Sequence, residues 1–176
     1  IPGEVALGRH GAGRSASLGK MKFAPEPGGQ GAAFREFAGV KLLVVTVVNA
    51  LGAIIDREGR VVRGNLDPSS GERRRSIDIL APGERKRSEN GPTENTTLTL
   101  VATDAKLARR ELDQFARQVH TSMARAIDPF QTATDGDTLY AATSNRVALD
   151  TARVTPDILG MVAGEVAWDA VLSAVD

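Results

Sequence analysis

The run Val40-Lys41-Leu42-Leu43-Val44-Val45-Thr46-Val47-Val48 constrains the fold more than any other part of this sequence. It is nearly all apolar and rich in β-branched residues, the pattern of a strand covered on both faces. A strand of that kind needs a layer of structure on each side, so the chain must build a layered α/β domain around it. The longest apolar stretch, Leu42 to Ile55, is interrupted by Thr46, Asn49 and Gly52 and is too short to span a bilayer. No membrane partner is expected.

The remaining elements follow from local pattern. Residues 3–33 hold Gly3, Gly8, Gly11, Gly13, Gly19, Gly28, Gly29 and Gly31, which predicts loops joined by short extended pieces. The cluster Gly8-Arg9-His10-Gly11-Ala12-Gly13 has no strand before it and no Gly-Lys-Ser/Thr after it, so it reads as a loop and not a phosphate cradle. Ile54-Ile55 and Val61-Val62 flank Asp56-Arg57-Glu58-Gly59-Arg60, a hairpin signal. From Asp67 to Glu94, the basic clusters Arg73-Arg74-Arg75 and Arg85-Lys86-Arg87 alternate with Glu72, Glu84 and Glu89 among Pro, Gly and Ser. Without an aromatic side chain to stack on bases, this stretch predicts a solvated connection and no nucleic-acid partner.

Thr96 to Thr103 largely alternates polar and apolar residues, as in a strand with one buried face. A helix over roughly Lys106 to Ile127 follows, with the stripe Leu107, Leu112, Phe115, Val119, Met123 and Ile127. Pro129 ends it. His120 lies beside that stripe and reads as a packed or half-exposed residue. Thr134 to Thr138 is a polar turn leading into a short strand from Leu139 to Ala142. The last helix opens on Thr155 as cap and Pro156 at its first position, with Ile158, Val162, Val166 and Ala170 as its expected buried stripe and Trp168 nearby.

Composition narrows the chemistry. The 176 residues include no cysteine and two histidines, His10 and His120, so disulfides, thiolate nucleophiles and histidine-rich metal sites are out of reach. No cofactor is expected. Basic and acidic side chains balance at 22 each, which argues against a strongly basic nucleic-acid binder. The start at Ile1 has neither an initiator Met nor an export pattern, so the sequence reads as trimmed or cut from something longer, with a soluble cytoplasmic protein as the default expectation.

What chemistry remains must come from Ser, Thr, Lys, Asn, Asp or Glu. Asn95-Thr96-Thr97 marks the abrupt end of the polar stretch, and Asp135-Gly136-Asp137 places two carboxylates on the turn before another strand. If the two strands lie side by side, the Thr96 hydroxyl and these carboxylates meet at one sheet end. A threonine hydroxyl needs a base. The α-amine of a freed Thr96, with an ordinary pKa of about 7.7–8.0, could serve. Freeing it requires cutting Asn95–Thr96, a bond that Thr96 could attack itself.

Asn95-Thr96-Thr97-Leu98, followed by Leu112-Asp113-Gln114-Phe115-Ala116-Arg117-Gln118-Val119-His120-Thr121-Ser122-Met123, resembles the nylon-oligomer (6-aminohexanoate oligomer) hydrolases. These stand in a wider group with the L-aminopeptidase/D-esterases and β-aminopeptidases. Ser15 to Lys20, Gly29 to Arg35, Asp135 to Leu139 and Glu165 to Leu172 are similar as well, in family order over nearly the whole chain. The resemblance implies an N-terminal-nucleophile amidohydrolase with a four-layer α-β-β-α sandwich, here without its N-terminal part. It implies residues 1–176 as the C-terminal portion of a single hydrolase domain, cut by itself into 1–95 and 96–176. By the family pattern Thr96 is the nucleophile, Lys20 and Asn49 are active-site residues, and Asp135 and Asp137 orient the amine and hydroxyl of Thr96. Lys20 would favour the neutral amine and Asn49 would donate to an oxyanion. The structural alternative for the two aspartates is a turn whose side chains bond their own backbone.

The implied substrates are linear amides such as 6-aminohexanoate oligomers, with Thr in place of Ser at 96 pointing to the nylon-oligomer branch. The implied partners are the upstream segment or its cleaved fragment, and further copies in a homo-oligomer of processed pairs. An aminopeptidase for peptides with β- or D-amino-acid N-termini is the alternative within the fold. An unprocessed binding protein follows if Glu94, where the family carries Gly, blocks the strained turn that cleavage needs.

Overall fold

A computed structural model describes residues 4–80 and 95–176. The second basic cluster, Arg85 to Arg87, and Glu94 lie outside the described residues. The elements run β1 (Ser17–Leu18), β2 (Glu26–Pro27), β3 (Gly29–Phe37), β4 (Val40–Asn49), β5 (Ala53–Ile55), β6 (Val61–Arg63), α1 (Ser76–Ile79), β7 (Thr96–Ala105), α2 (Arg109–Ser122), β8 (Ile127–Asp128), β9 (Thr138–Val147) and α3 (Pro156–Leu172). The main sheet has the order β3-β4-β7-β9, with β3, β4 and β7 antiparallel and β9 parallel to β7. A small sheet of order β6-β5-β8 holds the predicted hairpin, whose Asp56 Oδ1 accepts from the main-chain N–H groups of Glu58 and Arg60 at 3.0 and 2.8 Å.

Helices α2 and α3 pack against one face of the main sheet. The core lies between, with Phe115 and Val119 of α2, Leu159, Ala163, Val166, Ala167 and Ala170 of α3, and Leu42, Val44, Val48 and Val101 of the sheet all buried. Thr155 caps α3 by accepting from Ile158 N–H, as predicted. The buried stripe of α3 differs from the expected one. Leu159 and Ala163 turn inward, Ile158 is 38 % exposed and Val162 is half-buried. The helix is apolar almost all round, so sequence alone did not distinguish its faces. Helix α2 is shorter than expected because Met123–Arg125 tightens to a 3-10 turn and Ile127 passes into β8.

Two further expectations are corrected. The glycine-rich stretch is not loop throughout: Gly29 to Phe37 is a nine-residue strand. Its glycines serve contact with α3. A Cβ on Gly31 would lie 1.9 Å from the carbonyl oxygen of Ala170, so only glycine lets helix and strand approach this closely. Strand β4, in turn, is covered on one face. Its even-numbered residues from Val40 to Val48 are buried, whereas Leu43, Val45 and Val47 remain half-buried.

Those three residues belong to the sheet face opposite the helices. Register places Val47 beside Leu98 and Val45 beside Leu100, with Leu98 and Leu100 facing Thr138 and Tyr140 of β9. Phe34, Leu98, Leu100 and Tyr140 on this face are 60, 47, 41 and 65 % exposed. Of the four layers expected, the described residues build one helix layer and one main sheet layer. Their apolar outer face matches the inner surface of a sandwich. The polar connection is less free than predicted, because Arg73 pairs with Glu26 and Arg75 with Asp128. Among the described residues no helix is long and apolar enough to cross a membrane.

Candidate active site

The parallel pairing of β7 and β9 brings the start of both strands to the same sheet end. Asn95 extends β7 by one bridge to Asp135, and Asn49, the last residue of β4, stands opposite Thr96. The sheet thus gathers Asn95, Thr96, Asn49, Asp135 and Asp137, which are far apart in sequence. Lys20 joins them from the strap after β1, where its N–H and that of Gly19 bond the carbonyls of Leu51 and Gly52, each at 2.9 Å.

The Thr96 hydroxyl donates to the carbonyl oxygen of Asn95 at 2.6 Å, across the bond that self-cleavage would break. The same carbonyl accepts the main-chain N–H of Gly136 at 2.8 Å. Asn95 is itself buried, and its Oδ1 has no hydrogen-bond partner among the described residues.

Lys20 is 4 % exposed, and its Nζ donates to Asn49 Oδ1 at 2.7 Å. Burial lowers its pKa from the ordinary lysine value, because the charged form loses water, and the negative charge of Asp135 partly opposes that effect. Asn49 Oδ1 also accepts the N–H of Ser17 at 3.1 Å. With two donors on its oxygen, the Asn49 amide is oriented so that its NH2 end faces away from Lys20 and Ser17.

The two carboxylates stand at the same sheet end as Thr96, whose hydroxyl bonds the Asn95 carbonyl. Asp137 holds the backbone on both sides of the site, Oδ1 accepting from Thr97 N–H at 2.6 Å and Oδ2 from Gln131 N–H at 2.9 Å. Asp135 Oδ2 accepts from the N–H and hydroxyl of Thr132 at 3.1 and 2.7 Å, a bond within its own turn. Its Oδ1 is buried with no hydrogen-bond partner among the described residues. Each aspartate therefore braces main chain around Thr96.

Two contributors escaped the sequence reading. Gly136 was visible only as a turn glycine between two aspartates, and Ser17 acts through its backbone N–H, which leaves no side-chain signal. Among the described residues no group of His, Asp and Glu is arranged to hold a metal ion.

The fold falls in a known structural class. The fold matches that of the L-aminopeptidase D-Ala-esterase/amidase from Ochrobactrum anthropi, described as a variant of the N-terminal-nucleophile hydrolase fold, with a TM-score of 0.62 and 18 % identity over 99 % of this chain and 46 % of that one. A Burkholderia β-aminopeptidase gives 0.60 and 19 % over 98 and 47 %. The chain is thus part of an N-terminal-nucleophile hydrolase fold. More narrowly, it belongs to peptidase family S58, which it matches over residues 2–175. Relatives include the 6-aminohexanoate-oligomer endohydrolases of Paenarthrobacter ureafaciens and of Agromyces strain KY5R, each 44 % identical over 99 % of this chain and 52 % of the relative. The chain therefore spans about half the length of these relatives.

Proposed function

We propose that this chain is part of a self-processing amidohydrolase that cleaves linear amides such as 6-aminohexanoate oligomers, with Thr96 as nucleophile. The observation that carries the reading is the Thr96 hydroxyl lying 2.6 Å from the carbonyl oxygen of its own preceding peptide bond, at a sheet end that also holds a buried lysine. Identity of 44 % to two 6-aminohexanoate-oligomer endohydrolases supports the substrate class.

In the uncut chain the Thr96 nitrogen is tied up in the peptide bond and cannot act as base. Lys20, with its proton affinity lowered by burial, is the group at this sheet end suited to take the hydroxyl proton. Attack on the Asn95 carbonyl carbon and loss of the Thr96 nitrogen give an ester, which water hydrolyses to leave 1–95 with a new carboxylate and 96–176 with a free amine. That amine then serves as base for the same hydroxyl. A substrate amide is opened in the same two stages, through an acyl ester on Thr96. Asn49 turns its NH2 end away from Lys20 and is the side-chain donor for the oxyanion, while Asp135 and Asp137 hold the surrounding backbone.

The open apolar sheet face is where we place the upstream segment or its cleaved fragment, completing the sandwich and one wall of the substrate cleft. The working assembly is then an oligomer of processed pairs. Incubating processed protein with linear 6-aminohexanoate oligomers and analysing products by mass tests the reading. Internal cuts that vanish in Thr96→Ala support an endo-acting amidohydrolase. Release of single units from the amino end alone would move the activity to the aminopeptidase alternative, and hydrolysis that persists in Thr96→Ala would overturn Thr96 as nucleophile.

A further inference from the structure

The Asp135-Gly136-Asp137 turn does more than carry two carboxylates. Gly136 sits between them with its N–H on the carbonyl oxygen of Asn95 at 2.8 Å, the atom on which charge would develop during attack. The turn is held rigidly. Asp135 is tied to Thr132 through its N–H, at 3.0 Å to the Thr132 carbonyl, and through Oδ2, while Asp137 bonds Thr97 and Gln131. The direction of the Gly136 N–H is therefore set before any charge develops.

Glycine also keeps this space open. A Cβ at position 136 would lie 2.8 Å from Thr96 Oγ1 and 3.5 Å from the Asn95 oxygen, inside the volume where the nucleophile and its target meet. The bridge between Asn95 and Asp135 shows the acyl side of the scissile bond lying as a strand extension against this turn. Asn95 itself is buried.

We propose that the main-chain N–H of Gly136 is an oxyanion donor used twice: first on the Asn95 carbonyl during self-cleavage, then on the acyl carbonyl of the substrate, which takes the place Asn95 leaves. This rests on Thr96 being the nucleophile, as argued above. In the first use, the Thr96 Oγ–C bond forms as the Asn95 C=O pair moves onto oxygen, where the Gly136 N–H meets it. Collapse breaks the C–N bond and the hydroxyl proton ends on the departing nitrogen. Water then adds to the ester, returning the hydroxyl to Thr96 and leaving the Asn95 carboxylate. The second use repeats these steps with the substrate carbonyl. The residue before the cut thus serves as a built-in occupant of the acyl subsite, which stays closed until cleavage opens it.

The direct test replaces the Gly136 N–H by oxygen, through in vitro translation of the full-length protein with glycolic acid at position 136. Appearance of a new N-terminus at Thr96 is then timed by mass. Slowing by about 10²–10³-fold is expected, as for loss of one oxyanion donor, with the thermal midpoint little changed. In the fraction that does cleave, kcat falls on an amide substrate while KM moves little, because the donor meets charge that exists only in the transition state. Cleavage at the native rate would overturn the proposal. Should the ester variant not fold, hydrogen exchange at the Gly136 amide in uncut Thr96→Ala protein decides: protection is expected, and free exchange overturns it. Failure of the native full-length protein to cleave would instead remove Thr96 as nucleophile, and this role with it.

Discussion

Lys20 and Asp137 show how a few bonds set the chemistry of single residues. Lys20 is nearly enclosed, so its charged form is penalised and its pKa falls below the ordinary 10.5. The unfolded chain binds the proton more tightly than the folded one, so stability rises with pH between the lowered value and 10.5, and the folded chain already holds the basic form above the lowered value. Self-cleavage is expected to accelerate as pH rises to the lowered value and to level off above it. Lys20→Arg, which stays charged, is expected to lose this acceleration and about 10²-fold or more in rate, in the range of general-base effects. Timing fragment formation from pH 6 to 10 checks both. Asp137 uses one oxygen for Thr97 N–H and the other for Gln131 N–H. An amide at this position accepts through one oxygen only, so Asp137→Asn is expected to cost about 1–3 kcal/mol, read by urea unfolding, and to slow cleavage.

Among the elements, β3 and α2 best show what pattern reading could and could not reach. The alternation over Thr96–Thr103, the hairpin around Asp56–Arg60 and the Thr155 cap are local signals, and the structure has all three. Strand β3 was hidden because its glycines answer to α3, more than a hundred residues later, and a single strand carries no trace of the helix that will press on it. Gly31→Ala tests that contact. Its methyl would sit 1.9 Å from the Ala170 carbonyl oxygen, and the shift needed is expected to cost about 1–3 kcal/mol or more, measured as a lower urea midpoint. On α2, burial lowers the pKa of His120 from 6.5, with the charge of Asp137 opposing. Its sign is opposite to that of a stabilised cation. As pH falls through 6.5 the unfolded chain takes up the proton first, so stability drops. His120→Gln is expected to flatten that part of the stability profile between pH 7.5 and 5.5.

For the molecule as a whole, sequence and structure agree on a layered α/β architecture and differ on coverage. The run in β4 predicts a strand covered on both faces, and the described residues cover one. The difference is itself informative, because Phe34, Leu98, Leu100 and Tyr140 form an apolar surface of the kind that sandwich interiors have. The family resemblance names the residues that the sheet gathers at this end, whereas the bonds among them left no sequence signal. Main-chain donors such as Ser17 and Gly136 have no side-chain signature, and the pairing of β7 with β9 is a long-range fact. Central to the account is that Thr96 attacks the bond before it. The intact mass of purified full-length protein, measured beside Thr96→Ala, tests this most directly. The account predicts two fragments, one beginning at Thr96, that give way to a single uncut chain in the variant. A native protein that stays uncut while folded, or one that is cut equally in Thr96→Ala, would contradict it.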